Sequence, residues 1–95
     1  MKYKIKNVRF KDGICKIDYE PQVQIDPGIF ELKIIYRNGT SEIKQITPKY
    51  IELLHDAGQF SHYLRFKMDT SNIRHIEFHP LNGLFDVFSY DFGGN

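Results

Sequence analysis

The sequence predicts an α+β domain. It reads as about seven mostly antiparallel strands in hairpins, with one principal helix over residues 47–57 packed on the sheet. Three observations lead there. The chain has one alanine, Ala57, against twelve isoleucines, eight phenylalanines and six tyrosines. Alanine is the best helix former, whereas β-branched and aromatic side chains fit a pleated, half-buried surface. Turn pairs, Asp12-Gly13, Asn38-Gly39 and Asn82-Gly83, punctuate runs of alternating apolar and polar residues. One stretch, TPKYIELLHDAG, breaks the alternation and carries helix-end signals.

The elements follow in chain order. Residues 2–10 and 14–20 form a first hairpin about Asp12-Gly13. Tyr3 and Ile5 share one parity, and Val8 and Phe10 the other, so a bulge near Lys6-Asn7 is needed to put all four on one face. In the second arm Cys15, Ile17 and Tyr19 alternate with charged residues. Residues 21–28, with Pro21 and Asp26-Pro27-Gly28, read as a loop. A strand over 29–37 carries Phe30, Leu32, Ile34 and Tyr36 on one face. A two-residue turn at Asn38-Gly39 returns the chain through Ser41–Ile46.

In the helix over 47–57, Thr47 is the cap, Pro48 takes the first helical position and Gly58 ends it. Tyr50, Ile51 and Leu54 would face the core, and His55 would lie half exposed near the C-terminal end. Residues 59–68 alternate as a strand, although Phe60, Leu64 and Lys67 also fit a helix. Asp69–Asn72 is a turn, 73–79 a strand, and Pro80–Gly83 a turn. Leu84–Phe92, apolar on both parities, reads as a last strand that is central and covered on both sides.

Ninety-five residues make one compact domain, 1–95, able to bury a modest core. Cys15 is the only cysteine, so no intrachain disulfide is available and a buried structural thiol is expected. The N-terminus MKYKIKNVRF is basic without an apolar stretch behind it, and no apolar run reaches the ~20 residues of a membrane span. A cytoplasmic protein that does not enter membranes is expected. The usage, rich in Ile, Lys, Asn, Phe and Tyr, suits an AT-rich genome such as that of a low-GC bacterium or its phage.

The net charge of +1 conceals an asymmetry: residues 1–50 carry +4 and residues 51–95 carry −3. Lys2, Lys4, Lys6, Arg9 and Lys11 all fall within the first eleven residues, with no acid among them. These five are the candidate partner-binding residues. A strand presents Lys2, Lys4 and Lys6 as a stripe suited to phosphate or acidic protein, and lysine equally guards a sheet edge.

His75, Glu77 and His79 invite a metal or acid–base reading. On a strand, His75 and His79 lie about 13–14 Å apart, at ~3.4 Å per residue, which one ion cannot bridge. The order H-I-E-F-H also lacks the H-E-x-x-H spacing of a zinc peptidase helix. Ile76 and Phe78 supply a core face behind them, so the three read as the wet face of an amphipathic strand. Asp91-Phe92-Gly93 stands without the loops a kinase needs. Gly93-Gly94 resembles a ubiquitin-like tail, but that fold has a helix where this chain has its Pro-Gly loop. Ser61 and His62 point to opposite faces of a strand and cannot pair as nucleophile and base.

The expectation is therefore a non-enzymatic protein-interaction module, a small regulatory or inhibitor protein, with no catalytic residues, metal or cofactor. A protein is the first expected partner. The alternative is a nucleic-acid-binding accessory protein using the basic N-terminal strand. The third is a metal-dependent hydrolase using His75 and Glu77.

Overall fold

The computed structural model describes residues 2–93; Gly94 of the Gly-Gly pair lies outside them. Eight strands follow one another: β1 Lys4–Lys11, β2 Ile14–Glu20, β3 Phe30–Tyr36, β4 Ser41–Ile46, β5 Lys49–Leu54, β6 Phe60–Lys67, β7 Ile73–Pro80 and β8 Phe88–Asp91. They form two four-stranded antiparallel sheets, in the orders β1-β2-β6-β5 and β4-β3-β7-β8. The domain is all-β, not α+β, and its strands divide between two sheets.

The core is the seam between the sheets. Cys15, Ile17 and Tyr19 of β2 and Leu64 and Phe66 of β6 face Phe30, Leu32 and Ile34 of β3 and Ile76 and Phe78 of β7, all buried. Phe66 meets Phe78 edge-on at 6.2 Å between ring centroids, and Phe78 stacks on Phe88 at 4.5 Å. The seam is sealed where β1 lies beside β8. There Phe10 packs on Tyr90 and Phe92 at 4.9 and 4.7 Å, and the Tyr3 N–H donates to the Leu84 carbonyl.

The helix expected at 47–57 is absent from the described residues. Its centre is β5, paired with β6 from Lys49↔Arg65 to Leu54↔Phe60. The end signals were real, but they belong to other structures. Thr47-Pro48 is the crossover between the sheets. Gly58, with φ +79°, sits in a hairpin turn where the His55 N–H donates to the Gln59 carbonyl at 2.8 Å. His55 thus lies exposed in that turn, not at a helix end. An isolated helix of some eleven residues is marginal in water, on the order of the ~12–15-residue minimum even for good helix formers. Pairing along a whole neighbouring strand satisfies the same backbone without that nucleation cost.

Two further expectations are corrected. The turn after β3 is a three-residue loop, not a two-residue one. The Gly39 N–H donates to the Tyr36 carbonyl at 3.0 Å and the Tyr36 N–H to the Thr40 carbonyl at 2.8 Å. Only Gly39 is left-handed (φ +88°), while Asn38 uses its side chain to accept from the Thr40 N–H at 3.0 Å. Such loops are type I turns closed by a left-handed residue. The last strand is short and lies at a sheet edge. Phe85 reaches the core from the preceding loop, against Tyr3, Tyr19 and Phe30, while Val87 is 56% exposed. Two-sided apolarity here reflects a loop anchor followed by an edge strand.

The first hairpin, the bulge, the loop over 21–28 and the strand reading of 59–68 agree with the structure. The β1–β2 register slips between Ile5 and Asn7, bringing Tyr3, Ile5, Val8 and Phe10 all against the core.

Candidate functional site

In β1, β2, β6 and β5, alternate residues that do not face the seam form the outer face of the first sheet. The strand registers fix which of them stand opposite one another. Arg9 opposes Lys16, Lys16 opposes Arg65, and Arg65 opposes Lys49. Four cations thus form one row across all four strands, about 14 Å long at the usual ~4.8 Å strand spacing. In the next row Lys11 opposes Ile14, which opposes Lys67. On the other side lie Asn7, Asp18, Tyr63 and Ile51.

Little negative charge offsets this face. Asp18 accepts from Arg9 at 2.9 Å, and Glu20 pairs with Lys6 at 3.4 Å at the far end. Among the described residues, Lys11, Lys16, Lys49, Arg65 and Lys67 have no ion-pair partner within 4.0 Å. Lys16 instead lies over the Tyr63 ring, 4.2 Å from its centroid, a cation–π contact. A concavity of roughly 330 Å³ opens at the end of the row, lined by Ile14, Thr47, Lys49, Arg65, Phe66 and Lys67. Three cations and a hydroxyl around an open hollow can hold a phosphate-sized anion through point charge and, from Arg65, a forked pair of hydrogen bonds.

The sequence-based candidates divide. Arg9 and Lys11 lie on this face. Lys4 and Lys6 are on its far margin, Lys4 opposite Glu20 and Lys6 in contact with it. Lys2 precedes the strand and is tied to Asp86 at 2.5 Å. The N-terminal stripe is therefore largely neutralised. The concentrated charge comes from Lys16, Lys49, Arg65 and Lys67, which sequence reading did not join. They are scattered over 52 positions, and only the pairings of β2 with β6 and of β6 with β5 bring them together. Had the 47–58 segment been read as a strand hairpin, Lys49 and Arg65 would have fallen opposite each other.

His75, Glu77 and His79 lie on the outer face of the second sheet, with Ile76 and Phe78 fully buried behind them. His79 pairs with Glu77 at 2.6 Å, and His75 lies 3.8 Å from Asp91. No cluster of three His, Cys, Asp or Glu among the described residues is arranged to hold a metal ion. Cys15 is fully buried and its thiol is pushed up to about 12 by that burial. His62 is bound on both sides: its ring contacts the Tyr50 hydroxyl, and its N–H and carbonyl bond the Gln22 amide at 2.8 Å each.

No helix among the described residues is long and apolar enough to cross a membrane. Comparison of the chain with protein-family models, with curated proteins and with solved structures found no match.

Proposed function

We propose that this domain is a non-enzymatic binding module for a polyanion, and that the phosphate backbone of nucleic acid is the ligand its first sheet engages. One observation carries the reading: Arg9, Lys16, Arg65 and Lys49 stand directly opposite one another on four adjacent strands. Like charges opposed across strands are destabilising, so the row works against folding and its rationale is sought in binding. The hollow at Lys49, Arg65 and Lys67 gives it a focus, and Tyr63 in the neighbouring row offers an aromatic surface for a base.

The non-enzymatic part is supported by the state of the reactive groups. Cys15 is buried as a neutral thiol, His75 and His79 lie on the second sheet, His62 takes the seam-side parity of β6, and His55 sits in the β5–β6 turn, at the opposite end of β5 from Lys49. A cytoplasmic site of action accompanies the proposal, in keeping with that lone reduced cysteine. An acidic protein surface is the second reading, favoured by Ile51 and the half-exposed Leu53 beside the cations.

Fluorescence anisotropy with labelled single-stranded DNA and RNA tests the proposal. Binding is expected to fall as salt rises, to weaken in Lys49→Gln/Arg65→Gln, and to survive in Lys33→Gln/Lys44→Gln on the other sheet. Absence of binding at low salt would overturn the nucleic-acid reading, and retention of an acidic protein partner by the same face would then support the second.

A further inference from the structure

The four sheet edges are not treated alike. An exposed edge offers unpaired backbone groups to any passing strand, and proteins blunt it with lysines, bulges, brevity or inward-pointing charge. β1 has Lys4, Lys6 and a bulge between Ile5 and Asn7. β8 has four residues. β4 places Glu42 and Lys44 on the seam side, opposite Ile34 and Leu32. β5 has six residues in regular register with β6, and ends in Leu53 and Leu54, 47% and 60% exposed. Its devices are one lysine at its start and one seam-side acid, Glu52 opposite His62, and neither guards the end where the two leucines lie.

We propose that β5 is the site where a second copy of this chain adds, antiparallel, joining two first sheets into one continuous sheet. The hydrogen bond from the His55 N–H to the Gln59 carbonyl fixes which backbone groups are free. Groups alternate along an antiparallel strand, so Lys49, Ile51 and Leu53 bond to β6, while Tyr50, Glu52 and Leu54 turn theirs outward. A twofold axis perpendicular to the sheet keeps each copy's outer face outward, so only residues of equal parity can oppose. Centring the pair on Glu52 sets two carboxylates against each other. Centring it on Tyr50 leaves a pairing of three residues. Centring it on Ile51 pairs Lys49 to Leu53: Tyr50 opposes Glu52 of the second copy, Lys49 opposes Leu53, Ile51 meets itself, and no like charges are opposed. This register satisfies the free groups of Tyr50 and Glu52 and covers Leu53. It also places both cationic faces on one side of the joined sheet.

Cross-linking decides the matter. Ile51 would lie in a non-hydrogen-bonded pair with itself, with Cα atoms about 4.5 Å apart, inside the range a disulfide spans. Cys15 is buried, so a new cysteine is the one reactive thiol. Ile51→Cys is expected to give a covalent dimer under mild oxidation. Leu53→Cys is expected to give none, because its counterpart lies about 13–14 Å further along the strand. Sedimentation should report a dimer for the native chain and a monomer for Glu52→Pro, whose ring removes an outward N–H that an edge strand can spare. If Glu52→Pro fails to fold, the two cysteine variants still decide. A native monomer at every concentration would overturn the proposal, as would equal cross-linking of Leu53→Cys. A monomer that captures an extended peptide of another protein along β5 would also overturn it.

Discussion

Replacing Lys49 and Arg65 with glutamine should make the domain bind less and melt higher. Both effects come from the same row. Each neutralised phosphate of a single strand contributes about 0.7 to the slope of log K against log salt, so Lys11, Lys16, Lys49, Arg65 and Lys67 together give a slope of about −3.5 and the double variant about −2.1. Between about 50 and 200 mM salt the native chain should then lose roughly 130-fold in affinity and the variant roughly 20-fold. The double substitution also removes two opposed pairs, Lys16–Arg65 and Arg65–Lys49. At about 0.2–1 kcal/mol each, screened at this exposed face, their loss should stabilise the fold by some tenths to about 1 kcal/mol. For a domain this size that raises the melting midpoint by up to about 4–8 °C. Anisotropy titrations at several salt concentrations, beside thermal melts followed by circular dichroism, read both quantities. An unchanged slope would remove Lys49 and Arg65 from the interface. A melting midpoint lowered by several degrees would show the row to be structural and sink the argument that binding accounts for it.

Other consequences can be measured directly. Phe78→Ala empties a fully buried site between Phe66 and Phe88 and should cost about 3–5 kcal/mol, seen as a lower urea midpoint at unchanged slope. Gly39→Val should cost about 1–3 kcal/mol through backbone strain at φ +88°, because nothing lies within 4 Å of the added Cβ; an unaltered melt would contradict that. Cys15 should resist thiol reagents in the native state and react at the rate of unfolding. Burial lifts its thiol from an ordinary 9.0 to about 12 and also raises the Tyr19 phenol, so both are favoured neutral in the fold. Their contribution is intact below pH 9.0 and is lost as pH climbs towards about 12. Stability that rises over that range would refute it.

Local signals recovered much of the chain. Alternation in Cys15–Tyr19 and in Phe30–Ile34, and the bulge demanded by Ile5 and Val8, were readable because a buried face leaves a period of two. The segment TPKYIELLHDAG failed because Thr, Pro and Gly punctuate turns and helices alike. Its apolar residues, Tyr50, Ile51, Leu53 and Leu54, occupy both parities, as helical residues also would. Leu84–Phe92 misled for a related reason: Phe85 and Phe88 are inward-facing, one from a loop and one from an edge. The site was less legible. The run of lysines at the N-terminus is conspicuous in sequence, yet Lys2 and Lys6 are spent on Asp86 and Glu20. Arg65 stands alone in sequence among Leu64 and Phe66, and gains its meaning from Lys16 and Lys49, which only the sheet order supplies.

That sheet order also bears on how the chain reaches its shape. The inner pair of the first sheet joins β2 to β6, and the inner pair of the second joins β3 to β7. Each pair unites an early segment with a late one, and the two spans overlap. Neither sheet can be finished until Lys67 has been made, and the second waits for Asp91. Long loops must close before the central contacts form, so search is slow, in the milliseconds-to-seconds regime of such topologies. No cut between β3 and β6 leaves a fragment with a complete sheet. The molecule assembles as one cooperative unit, and half of it is not half a structure.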